Sequence, residues 1–140
     1  MRSWRSGSSR RDRLRRECAA DVLVCLLEDK ELVSLQISGL IEEAEARGLE
    51  THRLPIPDGG VLPNTLGVEK IVAIIISRAT AGKNVVIHCM GGLGRAGTIG
   101  GCYLRACGMG SEQALKLLVA TRGRSCPETE EQRQFIRSFR

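Results

Sequence analysis

A cysteine, three glycines and an arginine stand together in His88-Cys89-Met90-Gly91-Gly92-Leu93-Gly94-Arg95. Glycines at these spacings let the backbone curl until the N–H groups from Met90 to Gly94 point inward as an anion nest. A helix beginning near Arg95 would add its positive N-terminal end to the same spot, and the Arg95 guanidinium can fork onto two oxygens of one tetrahedral anion. Such a field favours the thiolate form of Cys89 over the thiol, and a thiolate held beside a phosphate is placed to attack phosphorus. The expected occupant of the loop is therefore inorganic phosphate, another oxyanion, or a phosphate ester. His88 reads as a donor that orders the loop and supports the thiolate, or more plainly as a buried strand histidine.

Cleaving a phosphate ester also needs a proton for the departing oxygen. Asp58 is the candidate donor, thirty-one residues before Cys89 in Pro55-Ile56-Pro57-Asp58-Gly59-Gly60. The prolines stiffen the approach and the glycines let the carboxyl swing. The plain alternative is that Asp-Gly marks a turn. Removing a general acid typically slows a reaction by ~10²–10⁴-fold.

These groups need elements to hold them. The continuous apolar run 22–27 predicts a strand buried on both faces. Residues 34–47 carry apolar positions at helical spacing, and Gly48 can close that helix. Residues 49–56 alternate as a strand, 66–81 form a second apolar helix, and 85–87 form the strand that delivers Cys89. Further helices are predicted from near Arg95 to about Cys107, over 112–121 with Ser111 as N-cap and Gly123 as stop, and over 127–139 opened by Pro127. Alternating strands and helices give an α/β fold, a three-layer sandwich with a central, mostly parallel sheet flanked by helices. The reactive turn then falls at the carboxyl end of a central strand, where such sheets place ligands.

Composition bounds the rest. The chain has 140 residues, 42% hydrophobic and 3% aromatic, so a single domain must build its core from Leu, Ile, Val and Ala. So few aromatics argue against stacking on nucleic acid, which is not an expected partner. Residues 1–16 hold seven arginines and one acid, leaving 14 bases and 15 acids in the remainder. The overall +5 charge is thus a property of the amino end. Residues 1–17 are expected to be a basic disordered tail, and 18–140 the catalytic domain. The Arg- and Ser-rich tail leaves organelle targeting as an alternative to a cytoplasmic location. Asp21 and Glu28-Asp29-Lys30 disqualify the apolar run as a signal peptide, and nothing is long enough to span a membrane. Six cysteines without a C-x-x-C pair, and only two histidines, predict neither a metal site nor a cofactor. The thiols are expected reduced. Cys25, in the neighbouring strand, is the candidate partner should an oxidised Cys89 form a disulfide.

The string from His88 to Arg95 resembles the signature of the cysteine-dependent dual-specificity and protein tyrosine phosphatases. It most resembles the group associated with cyclin-dependent kinases and its bacterial relatives. The resemblance covers about 18–140 and implies a protein tyrosine phosphatase-like fold. It makes Cys89 the nucleophile, Arg95 and the loop the phosphate binders, and Asp58 the general acid. Gln132 would position the hydrolytic water, since Arg122-Gly123, Glu128-Thr129, Phe135 and Phe139 follow the family's carboxyl-terminal pattern. The implied substrate is a phosphoprotein or phosphopeptide bearing phosphotyrosine, or also phosphoserine and phosphothreonine where the cleft admits them.

Two departures stand out. Ala96 replaces the Ser or Thr that the family places after the arginine, with Thr98 two residues further on, so the phosphocysteine is expected to form normally and break down slowly. Relatives also carry β structure ahead of Val22, whereas 1–17 do not read as strands, so the expectation is either a sheet that lacks an edge or a shortened amino end. Two other readings remain: a phosphate-binding module with little turnover, and an RNA 5′-phosphatase using the basic tail. The absence of lysine between Cys89 and Arg95 argues against a phosphoinositide head group.

Overall fold

Three short parallel strands organise the chain in the computed structural model, which describes residues 20–90, 94–123 and 125–140. The tail at 1–17 and the loop residues Gly91, Gly92 and Leu93 lie outside the described residues. Strand β1 (Val22–Cys25) is central, flanked by β2 (Glu50–Arg53) and β3 (Val85–His88) in the order β2-β1-β3. Val22 pairs with both Glu50 and Val85, and Cys25 with both Arg53 and His88. Every β1 residue is fully buried, as its unbroken apolar run requires.

Because side chains alternate across a strand, β1 feeds two cores. Leu23, Cys25 and Leu27 point into one, with Leu32 of α1 (Asp29–Ser34) and Leu40 and Ala44 of α2 (Leu40–Ala46). Val24 and Leu26 point into the other, under α3 (Leu66–Thr80), α4 (Arg95–Ala106), α5 (Ser111–Arg122) and α6 (Glu130–Ser138). The result is the three-layer α/β sandwich with a parallel sheet. Helix α4 packs against β3, α3, α5 and α6, and its small residues make that possible. A Cβ at Gly101 would run into Cδ1 of Ile136, and one at Gly97 would lie 2.6 Å from the Cys126 sulfur.

Three helix boundaries differ from expectation. Of the helix expected over 34–47 only Leu40–Ala46, α2, forms, while Ser34 ends the preceding helix α1. Gln36 takes a left-handed φ of 59°, which no helix can continue through, and Gly39 restarts the chain as the N-cap of α2. Helix α1 was not predicted. It is nucleated by a reciprocal capping box between Glu28 and Glu31, an unusual use of glutamate at a position normally held by Ser, Thr, Asp or Asn. Gly110, extended at φ −64° and ψ 153°, occupies the N-cap of α5, so Ser111 is the first helical residue. Helix α6 opens at Glu130 behind the N-cap Thr129, leaving Pro127 ahead of the helix.

Candidate active site

Strand β3 ends at His88, and the chain turns from there toward the first residue of α4. Cys89 is buried, and its sulfur accepts a hydrogen bond from the Ala96 N–H at 3.3 Å. An amide from the first turn of a helix thus points at the sulfur, where the helix dipole favours negative charge. His88 is also buried, and desolvation, with the Arg95 charge second, pushes its imidazole down to about 3. Near neutral pH it can support the loop through hydrogen bonding, not as a cation. Met90 is half exposed at the rim.

Arg95 is 1% exposed, so its charge must be matched. Nη1 and Nη2 donate to the two carboxylate oxygens of Glu31 at 2.6 and 2.8 Å, and Nη1 also donates to the Ile56 carbonyl at 2.9 Å. The Arg95 hydrogen bonds hold the Glu31 carboxyl below its usual range despite its burial. Burial opposes the Arg95 charge, but Glu31 outweighs it and the guanidinium is raised. Glu31 escaped the sequence reading, because α1 did. The Glu28-x-x-Glu31 spacing ahead of Leu32 was the available signal.

The Asp58 loop reaches the same place. The chain past β2 stays beside β1 through Leu54 N–H to Cys25 and Ile56 N–H to Leu26, and buried Ile56 anchors it. A turn closed by Gly60 N–H to the Pro57 carbonyl at 3.0 Å, with Gly59 at φ 75°, presents Asp58 to solvent. Its Oδ1 lies 3.6 Å from Arg95 Nη2, and its side chain is 69% exposed.

Gln132 is completely buried and lies against Gly94. A Cβ at Gly94 would sit 3.2 and 3.3 Å from its amide nitrogen and oxygen, and 3.1 Å from the carboxyl carbon of Glu128. A side chain there would have to push both groups back by a few tenths of an ångström, so glycine favours this approach, which also brings Glu128 to Gly94. Thr98 turns its hydroxyl back onto the Gly94 carbonyl at 2.8 Å, so it braces the loop and does not replace the hydroxyl missing at Ala96. Cys25 belongs to the core beneath α1 and α2, while Cys89 belongs to the opposite core together with Cys126. The side-chain alternation of β1 therefore removes Cys25 as the natural disulfide partner. Among the described residues no three His, Cys, Asp or Glu side chains gather as a metal site, and no helix is long and apolar enough to cross a membrane.

A buried cysteine at the carboxyl end of a parallel strand, facing a helix that starts with a clamped arginine, defines a protein tyrosine phosphatase-like α/β domain. The chain belongs to the dual-specificity phosphatase family: the model described as the Swiss Army Knife DSP-PTPase phosphatase domain matches residues 6–140. Cyclin-dependent kinase inhibitor 3 of Rattus norvegicus is 30% identical over 112 residues, covering 79% of this chain and 52% of that protein. The chain thus spans about half the length of the curated relatives it matches. Among solved structures, the active form of Tk-PTP is 34% identical with a TM-score of 0.80, covering 96% of this chain and 85% of that one. Kinase associated phosphatase, with its catalytic-site cysteine replaced by serine, gives a TM-score of 0.85 at 24% identity, over 92% of this chain and 72% of that one. At that identity the likeness concerns the fold alone.

Proposed function

We propose that this chain is a cysteine-dependent phosphomonoester hydrolase that dephosphorylates phosphotyrosine in proteins, with phosphoserine and phosphothreonine as further substrates, through a phosphocysteine intermediate. The Cys89 thiolate attacks phosphorus in line with the departing oxygen. Glu31 holds the Nη1–Nη2 edge of Arg95, which leaves the Nε–Nη2 edge to fork onto two phosphate oxygens. Asp58 protonates the leaving oxygen, and its carboxylate then takes a proton from the water that hydrolyses the phosphocysteine. The phosphoprotein is recognised first by its dianion, which the loop N–H groups and Arg95 neutralise.

The observation that carries this reading is the convergence on Arg95 of three separate chain segments. Glu31 fixes it, Asp58 stands 3.6 Å from it, and the helix it opens points an amide at Cys89. A turn-forming Asp58 and a merely buried cysteine have no reason to meet around one buried guanidinium. The test is hydrolysis of an aryl phosphate and of phosphotyrosyl peptides in the presence of a chelator, comparing the wild type with Cys89→Ser. Vanadate-sensitive release of phosphate that the variant lacks supports the proposal. Tight phosphate binding with no Cys89-dependent release would instead identify a binding module.

A further inference from the structure

The N-terminus of α6 makes contacts that a helix cap alone does not need. In the reciprocal box, the Gln132 N–H donates to Thr129 Oγ1 and the Thr129 N–H donates to Gln132 Oε1, each at 3.2 Å. These two bonds complete the cap and leave the threonine hydroxyl proton and the glutamine NH₂ group unused. Both reach across to the acid loop: Thr129 Oγ1 donates to the Gly59 carbonyl at 3.2 Å, and Gln132 Nε2 to the Gly60 carbonyl at 3.3 Å. Those carbonyls directly follow Asp58, seventy residues away in sequence.

The loop needs such an outside hold. Gly59 and Gly60 have no side chains to pack, and Gly59 takes a positive φ, so these two residues can be held only through their backbone groups. Asp58 itself is largely exposed, with Arg95 at 3.6 Å. The buried Gln132 amide also lies against Gly94 of the phosphate loop. One capping box therefore touches both halves of the site.

We propose that Thr129 is a positioning residue, and that with Gln132 it latches the Gly59 and Gly60 carbonyls so that Asp58 stands beside Arg95. The inference rests on the reading of Asp58 as the general acid. An acid matters most for a poor leaving group and hardly at all for one that departs as a stable anion. The latch therefore predicts a loss that grows with leaving-group pKa.

The experiment compares kcat/KM for 2,4-dinitrophenyl, 4-nitrophenyl and phenyl phosphate in wild type, Asp58→Asn, Thr129→Ala, Thr129→Ser and Thr129→Asp. The ratio kcat/KM reports phosphoryl transfer to Cys89 even where later hydrolysis is slow. Misplacing the acid by about 1 Å in Thr129→Ala should lower the phenyl phosphate value by roughly tenfold to a hundredfold, leave the dinitrophenyl value nearly unchanged, and be reversed in Thr129→Ser. Thr129→Asp keeps a good N-cap acceptor but cannot donate to Gly59. It should show the same leaving-group dependence in a chain that folds even where the alanine variant does not. A loss equal on all three substrates in both Thr129→Ala and Thr129→Asp overturns the latch, since a purely structural role acts alike on every substrate. If Asp58→Asn itself shows no leaving-group dependence, the general-acid reading fails and the latch falls with it. Dependence in Asp58→Asn but in neither Thr129→Ala nor Thr129→Asp removes the latch alone.

Discussion

Glu31 and Arg95, sixty-four residues apart, meet as a buried bidentate pair with N–O distances of 2.6 and 2.8 Å. The same Glu31 Oε1 also accepts the Glu28 N–H at 3.0 Å. The start of α1 and the orientation of the Arg95 guanidinium are thus fixed by one carboxylate. Replacing it disturbs a helix cap, a buried charge and the site together.

Glu31→Gln should therefore cost both stability and phosphate capture. Breaking a buried pair on one side typically costs about 3–5 kcal/mol because the other charge is left unmatched, and glutamine, which still accepts one bond, should fall at the low end. Urea denaturation measures the stability, and inhibition by vanadate measures anion capture. Arg95→Lys is expected to weaken vanadate binding more than it weakens the fold, since a lysine keeps the charge but loses the fork. A Glu31→Gln protein with wild-type inhibition and unfolding would sink the account of Glu31 as the clamp.

How far these relationships could be read in advance follows from their range. Strand β1 was legible because six consecutive apolar residues have no solvated face, and α4 because glycines must precede it and Arg95 must open it. Cys89, Arg95 and Asp58 stood out as candidates because their chemistry restricts the residue types, and the fold brings them together around Arg95. Glu31 did not: it lies in a two-turn helix whose cap uses glutamate, and its partner is visible only once β1 and β3 lie side by side. The late start of the helix expected from Ser34 turned on a left-handed Gln36, a conformation that glutamine does not advertise. Gln132 was singled out, yet its grip on Gly60 depends on a loop 72 residues away.

Ala96 offers a kinetic prediction. Its N–H meets the Cys89 sulfur, but no side-chain hydroxyl is available there to stabilise the departing thiolate, and the Thr98 hydroxyl is committed to Gly94. Rapid mixing with 4-nitrophenyl phosphate should show a burst of nitrophenol followed by slow turnover. Ala96→Ser should speed the second phase and shrink the burst, with the first phase unchanged. An identical time course in the two proteins would refute a rate limit at phosphocysteine hydrolysis.

Acid sensitivity should begin at His88. Its native imidazole sits at about 3, against an ordinary 6.5, because of burial first and Arg95 second. As pH falls below about 6.5 the unfolded chain takes up a proton that the folded one refuses, so stability is full above that pH and is lost on the way down. The slope approaches at most about 1.4 kcal/mol per pH unit. The carboxylates of Glu31, held by Arg95, and of Glu50, drawn to about 2 by Arg78 and then His52, add their losses only below about 4.5. Denaturant titrations between pH 7 and 5 should show the decline in wild type and a shallower one in His88→Gln. Parallel slopes would mean that His88 is already protonated in the native state.

Two adjacent glycines in α4 should respond oppositely to the same substitution. In a helix with free space, Gly→Ala gains about 0.8–1.0 kcal/mol from backbone entropy. A Cβ at Gly100 would meet only Leu118 Cδ2 at 3.8 Å, an ordinary contact, so Gly100→Ala should raise the unfolding midpoint. At Gly101 the new carbon would run into Ile136 Cδ1 and come within 2.9 Å of Cγ1. Ile136 is fully buried and has little room to turn, so overpacking of about 1–3 kcal/mol should exceed the entropic gain. Gly101→Ala should therefore destabilise, and by less in an Ile136→Val background, where Cδ1 is gone. A double-mutant cycle by urea denaturation measures that coupling directly. Equal costs of Gly101→Ala in both backgrounds would show that α4 and α6 are not held at the spacing described.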